Sequence, residues 1–276
     1  MIVFPNAKIN LGLHIKNKRK DGFHNIETVF YPVQWADALE VIISNENDPF
    51  EFSTSGLSVE GETESNIIYK AWKLVSQHKE LPPLKVHLHK NIPMGAGLGG
   101  GSSDGAHFIR LVNEQLGLKF TNNEMTDLAK QLGSDCAFFI TNKPVFAQGK
   151  GDRFRKIAVD LSLYYFLVVY PGIHSDTKAA YESSRPGGAD PQIRSVITES
   201  PVHEWKNLLF NDFETGIFRK YPEIESLKNE LYRKGALYAS LSGSGSSMYG
   251  IFEYAPDVTL PENYSVYVEK PRVKKL

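Results

Sequence analysis

Between Gly95 and Gly101, five of seven positions are glycine, and Ser102-Ser103-Asp104 follow directly. Glycine loses more backbone freedom on folding than any other residue, so a run this dense needs an offsetting gain. The usual gain is close approach of backbone N–H groups to an anion, which a Cβ would block. The side-chain oxygens of Ser102, Ser103 and Asp104 suit a helix start, where they accept from otherwise unpaired N–H groups. Ala106, Ile109, Val112 and Leu116 then fall on one helical face, and Gly117 closes the segment. A glycine loop feeding a helix N-terminus suits a phosphate by geometry and by dipole.

Three readings of this loop compete. A flexible linker is disfavoured by its place between an alternating strand and a capped helix. Gly95-Ala96-Gly97-Leu98-Gly99-Gly100 satisfies the G-x-G-x-x-G spacing of dinucleotide folds. Such a fold requires a second strand ending in an acid about 20 residues on. Thr121-Asn122-Asn123-Glu124 instead reads as a capping box. The third reading is an ATP loop, though not of the Walker type, since no Gly-Lys-Ser or Gly-Lys-Thr is present.

Two further positions carry reactive side chains near apparent breaks in structure. Ile9, Leu11, Leu13 and Ile15 alternate with Lys8, Asn10, Gly12 and His14. A strand therefore sets Lys8 and Asn10 on one face, about 7 Å apart; the plainer alternative is a half-exposed surface strand. Asp135 follows Gly133-Ser134 and precedes an apolar run, where an N-cap is the plain reading. His87 and His89 alternate outward from Leu84, Val86 and Leu88 and read as solvent-facing, with no third metal ligand nearby in sequence.

The elements positioning these residues follow from periodicity. Strands are expected over Ile26–Trp35, Leu39–Ile43, Phe50–Thr54, the 84–88 run, Leu163–Tyr170, Leu237–Leu241, Met248–Phe252 and Ser265–Glu269. Helices are expected over Asn66–Gln77, from Asp176 onward, and over Trp205–Lys220 and Pro222–Lys234. Phe146–Asp152 is read as a turn, with no role assigned to Lys150, and Arg185–Pro191 as an irregular loop. No repeat or low-complexity segment is present.

Composition sets the outer bounds. The length of 276 residues suits one or two domains, and 41% hydrophobic with 23% charged residues is ordinary for a globular chain. A net charge of -1 gives no field favouring nucleic acid or an anionic membrane. No apolar run reaches the ~20 residues of a membrane span. Met1–Asn6 lacks the apolar stretch of a signal peptide. The one cysteine, Cys136, excludes an intrachain disulfide framework and reads as a small buried hydrophobe. A cytoplasmic protein is expected. The short basic tail Lys270–Lys275 reads as a solvated end.

Pro93-Met94-Gly95-Ala96-Gly97-Leu98-Gly99-Gly100-Gly101-Ser102-Ser103 resembles the ATP-binding motif of the galactokinase, homoserine kinase, mevalonate kinase and phosphomevalonate kinase (GHMP) superfamily. Ala7-Lys8-Ile9-Asn10-Leu11 resembles its first motif, and Ser242-Gly243-Ser244-Gly245-Ser246-Ser247 its third, a glycine turn closing over the site. The order of three motifs is more specific than any one. The triple glycine and Asp21-Gly22-Phe23-His24, followed by Glu27-Thr28, are similar to the branch whose acceptor is a cytidine-diphosphate-linked methylerythritol. Tyrosine is more usual than Phe23 there, and Val-Pro more usual than Cys136-Ala137.

The resemblance implies an α+β, two-domain GHMP-kinase-like fold, residues 1–158 and 159–276, with the active site in the interdomain cleft. It implies ATP as co-substrate with Mg²⁺, and Pro93 to Ser103 as the ATP loop. Ser102 or Ser103 is a possible metal contact, the metal ligands being otherwise unassigned. Lys8 and Asp135 would be catalytic, Asp135 as general base. Asn10, Phe23, His24, Tyr181 and Gly243 would bind the acceptor, with Tyr181 as a stacking ring or an ordinary core tyrosine. Small-molecule substrates, no nucleic acid, no membrane and a monomer or weak homodimer complete the expectation. A homoserine or mevalonate-type kinase, or a catalytically silent relative, are the alternatives.

Overall fold

A computed structural model describes residues 1–184 and 192–272. In chain order its strands are β1 (Ile2–Val3), β2 (Asn6–Lys18), β3 (His24–Ala36), β4 (Ala38–Ile43), β5 (Phe50–Gly56), β6 (Leu84–Lys90), β7 (Val145–Gln148), β8 (Arg153–Lys156), β9 (Tyr165–Tyr170), β10 (Tyr238–Leu241), β11 (Met248–Phe252) and β12 (Ser265–Glu269). The helices are α1 (Ile67–Ser76), α2 (Gly100–Gln115), α3 (Asn122–Leu132), α4 (Cys136–Thr141), α5 (Thr177–Ser183), α6 (Ile193–Glu199), α7 (Trp205–Leu208), α8 (Glu214–Lys220) and α9 (Pro222–Arg233). Three sheets are ordered β1-β4-β6-β5, β2-β3-β7-β8 and β10-β11-β9-β12. Among the described residues no helix is long and apolar enough to cross a membrane.

The chain groups into two compact units. One holds Met1–Ala7, Gln34–Met94 and Gly99–Lys143; the other holds Lys8–Val33, Gly95–Leu98 and the described residues from Pro144 onward. In the first, β5 and β6 pair in parallel, with α1 as their crossover. Asn66 caps α1 through its side chain on the Ile68 N–H at 2.8 Å. The capping box of Thr121 and Glu124 opens α3 as its spacing predicts. Cys136 is fully buried at the head of α4, and burial pushes its thiol up to about 11.

In the second unit, Leu13, Ile15 and Ile26 join Leu167, Val169, Ile224, Leu231, Leu241 and Met248 in one apolar cluster. Strand β2 is buried on both faces from Asn6 to Ile15, so it is no half-exposed surface strand. Its polar residues are therefore buried and must be paired.

Three local expectations change. Trp205–Lys220 is not one helix: α7 ends at Leu208 and α8 begins at Glu214. The chain between them is extended at Leu209, and its backbone pairs with Leu13. Asn211 and Asp212, weak helix formers that compete for backbone hydrogen bonds, lie at the break. Ser102, Ser103 and Asp104 do not cap α2, which starts earlier, after the left-handed Gly99, with no side-chain cap. Asp135 occupies the N-cap position of α4 but makes no capping bond there. Arg185–Pro191 and the end of the basic tail lie outside the described residues.

Candidate active site

The second unit brings Lys8, Asn10, Gly97 and Gly243 together. Lys8 is 4% exposed, and its Nζ donates to Asn10 Oδ1 at 2.8 Å and to the Gly97 carbonyl at 3.1 Å. The ammonium also sits 5.1 Å from the Phe30 ring centroid. Asn10 is held in turn, its Nδ2 donating to Thr28 Oγ1 at 3.0 Å. The Thr28 hydroxyl donates its one proton to the Gly12 carbonyl at 2.5 Å. Thr28 therefore accepts from Asn10, and this fixes which end of the Asn10 amide faces Lys8. Tyr249 anchors the same strand by donating to the Asn10 carbonyl at 2.7 Å.

The glycine loop is built tightly. Gly97 has φ +79°, and a Cβ there would lie 2.1 Å from the Ser242 carbonyl oxygen. Ser242 Oγ donates to the Gly97 carbonyl at 2.9 Å, sharing it with Lys8, and the Ser247 N–H donates to the Ala96 carbonyl at 3.1 Å. The Ser242–Ser247 turn thus locks onto the loop, and Gly243 lies where a Cβ would be 3.5 Å from both Lys8 Nζ and Asn10 Oδ1.

In the first unit the loop is entered and left through a buried ion triad. Lys90 Nζ donates to Asp37 and, at 2.9 Å, to Asp104 Oδ2; the three side chains are at most 2% exposed. Asp37 Oδ1 accepts from the Asn91 and Ile92 N–H groups at 2.6 and 2.8 Å, pinning the approach to Pro93-Met94. Burial raises the Asp104 carboxyl well above its usual range, opposed by Lys90 and reinforced by Asp37. Burial lowers Lys90, but Asp104 and Asp37 carry it above its ordinary value. One turn into α2, Ser103 is fully buried, and its carbonyl accepts from His107 Nδ1 at 2.9 Å. Burial lowers His107 to about 4, so the ring is neutral near pH 7. Ser102 remains half-exposed, as does Asp135 in the same unit.

A second cluster in the second unit pairs His24 with Tyr181, with Phe23 next to His24 in the chain. The His24 and Tyr181 rings stack at 4.5 Å with 7° between planes, and Tyr181 sets its edge against Phe213 at 4.8 Å. Phe23 is 53% exposed, with Lys150 Nζ 4.9 Å over its ring. Partial burial, aided by the Lys18 charge, lowers His24, which keeps a donor and an acceptor on a neutral ring.

Sequence reasoning passed over Asp37, Lys90 and Asn211, read Asp104 as part of a helix start, and named Thr28 without a role. Lys90 carried a usable signal: it continues the inward parity of Leu84, Val86 and Leu88, and an inward lysine demands buried carboxylates. His87 and His89 pair with Ser53 and Ser55 on the sheet face.

Comparison with known proteins agrees with this architecture. Family models described as GHMP kinases N terminal domain and GHMP kinases C terminal match residues 66–143 and 196–259. A 4-diphosphocytidyl-2-C-methyl-D-erythritol kinase of Bacteroides fragilis is 48% identical over 260 residues, 94% of each chain. One from Cytophaga hutchinsonii is 47% identical over 266 residues, covering 96% of this chain and 97% of its own. A crystal structure of 4-(cytidine 5'-diphospho)-2C-methyl-D-erythritol kinase superposes with a TM-score of 0.79 at 29% identity, over 91% and 90% of the two chains. A homoserine kinase structure from Cytophaga hutchinsonii shares the fold, with a TM-score of 0.68 at 16% identity. Fold, buried lysine, glycine loop and sequence kinship converge: the chain belongs to the 4-diphosphocytidyl-2-C-methyl-D-erythritol kinase family of ATP-dependent GHMP kinases.

Proposed function

We propose that this enzyme transfers the γ-phosphoryl group of ATP to the 2-hydroxyl of 4-diphosphocytidyl-2-C-methyl-D-erythritol, in the cytoplasmic non-mevalonate route to isoprenoids. The observation that carries the nucleotide half of this reading is Gly101. It lies in the first turn of α2, and a Cβ there would meet nothing within 4 Å. A helical glycine costs about 1 kcal/mol relative to alanine, and among the described residues no atom within 4 Å of that Cβ requires it. A ligand whose phosphates approach the backbone would require it. The uncapped start of α2 fits the same anion.

Pro93 to Ser103 would hold the triphosphate through backbone N–H groups. Mg²⁺ neutralises charge on the phosphates of such a nucleotide. Among the described residues no three acidic, histidine or cysteine side chains converge on a metal position. Phosphate oxygens and water would be its chief ligands, with the half-exposed Ser102 the better placed of the two serines, since Ser103 is enclosed. Asp135 would accept the proton of the attacking hydroxyl. It can act as a weak base because a loose transition state develops little charge on the nucleophile until late. Lys8, held by Asn10 and the Gly97 carbonyl, would stabilise charge near the transferred group.

For the acceptor, His24 would read the cytosine edge while Tyr181 and Phe23 supply ring faces. Small-molecule substrates suffice, and a monomer or weak homodimer is the proposed working form.

The test is a coupled ADP-release assay with the cytidine-linked acceptor, homoserine and mevalonate side by side. Turnover with the first alone supports the reading. Comparable turnover with homoserine or mevalonate, or none with the cytidine-linked acceptor, would refute it.

A further inference from the structure

Asn211 lies in the break between α7 and α8, and its side chain is 3% exposed. Its Nδ2 donates to the Leu241 and Gly243 carbonyls, each at 2.9 Å, and its Oδ1 accepts from the Phe213 N–H at 3.0 Å. Both amide protons are therefore spent on the two carbonyls that flank Ser242. On either side of Asn211 the backbone is tied to β2: the Leu13 N–H donates to the Phe210 carbonyl and the Asp212 N–H to the Leu13 carbonyl, both at 2.9 Å. One side chain thus references the Ser242–Ser247 turn to the strand that carries Lys8 and Asn10. The reference matters because Ser242 and Lys8 share the Gly97 carbonyl.

We infer that Asn211 is the positioning residue that holds the Ser242–Ser247 turn in register with Lys8 and the Gly97 carbonyl for phosphoryl transfer. The inference rests on the kinase reading of Lys8 and of that turn. The geometry demands two donors on one planar group with an acceptor behind them, which among side chains of this length only asparagine supplies. An ionised aspartate would set negative charge against two carbonyl oxygens. A protonated one would restore a donor to one of them and keep the acceptor for Phe213.

Asn211→Asp therefore carries its own control. Steady-state kinetics and backbone hydrogen exchange of residues 242–247 are measured for the wild type, Asn211→Asp and Asn211→Ala from about pH 5.5 to 8.5, the range over which a buried carboxyl would titrate. Nearby His14, Asp212, Lys8 and the Glu214–Lys228 pair are common to all three proteins, so ratios to the wild type are compared. The expected loss for Asn211→Asp at the alkaline end is about 10- to 100-fold in kcat, the scale of a small misplacement, with the KM for ATP within about threefold. Its ratio to wild type climbs as pH falls, exchange of 242–247 slows in parallel, and Asn211→Ala shows neither recovery. A flat ratio across pH, or exchange at 242–247 equal to wild type in both variants, overturns the inference. If Asn211→Asp does not fold, Asn211→Ala decides it by whether exchange of 242–247 accelerates. A wild type that releases no ADP with the acceptor sinks the kinase reading separately, and the exchange data still judge the hold of Asn211 on the turn.

Discussion

Replacing Thr28 with valine keeps the shape of a fully buried side chain and removes only its hydroxyl. Two partners lose their match: the Gly12 carbonyl, now bonded at 2.5 Å, and Asn10 Nδ2, bonded at 3.0 Å. A buried polar group stripped of its partner costs about 1–3 kcal/mol, so the pair should cost roughly 2–6 kcal/mol. Thr28→Ser keeps both hydrogen bonds and loses one methyl, about 1 kcal/mol. The order of stabilities is then wild type, serine, valine, whereas packing volume alone would place valine above serine. At roughly 2–4 °C per kcal/mol, the valine protein should melt about 4–24 °C lower. Its Asn10 amide is also free to turn its Nδ2 toward Lys8, so kcat should fall about tenfold or more while the KM for ATP holds. Urea unfolding and ADP release on the three proteins test both halves. A valine variant as stable as the serine one, with wild-type kcat, would refute the hydrogen-bond argument outright.

Gly101→Ala should stabilise the ligand-free protein by up to about 1 kcal/mol yet weaken ATP at least tenfold by calorimetric titration; unchanged ATP affinity would contradict the cradle. Gly97→Ala, whose Cβ would sit 2.1 Å from the Ser242 oxygen, should both destabilise the fold and weaken ATP, and a fully active variant would disprove the tight seating. His107 is held neutral with its folded value near 4, below the ordinary 6.5, so its contribution is present above about pH 6.5 and lost as pH falls toward 4. Urea unfolding at about pH 7.5 and 4.5 should differ by about 2–3 kcal/mol more in wild type than in His107→Gln, and equal differences would clear His107 of the role. Lys90→Met leaves two carboxylates without their cation and should cost about 3–5 kcal/mol; a loss under about 1 kcal/mol would show that the triad is not a single unit.

The sequence was most legible where one residue type has few uses. The glycine run, the Thr121 capping box and the apolar alternation of β2 each mean much the same in any context. The paired rings of His24 and Tyr181, far apart in the chain, could be placed together only through kinship, because no local pattern links them. Polar residues that hold other polar residues were illegible. Thr28 looks like any strand threonine, and its orienting of Asn10 exists only once β2 and β3 are side by side. The break at Asn211 was hidden by an apolar period running through Leu208, Leu209, Phe213 and Ile217, and tertiary bonds to Leu13, Leu241 and Gly243 overrode it.

The second unit draws on segments far apart in the sequence. Leu13, Ile15 and Ile26 leave the ribosome well before the side chains from Leu167 to Phe252 with which they share a cluster. At 5–20 residues per second, on the order of 10–50 s of translation separates the first partners from the last. Throughout that interval the apolar side chains of β2 are exposed without their cover. Nascent-chain holdases should therefore engage the first few dozen residues, and translation halted near residue 160 should yield an aggregation-prone intermediate. A circular permutant opened near residue 160 would place the late partners first and shorten the wait.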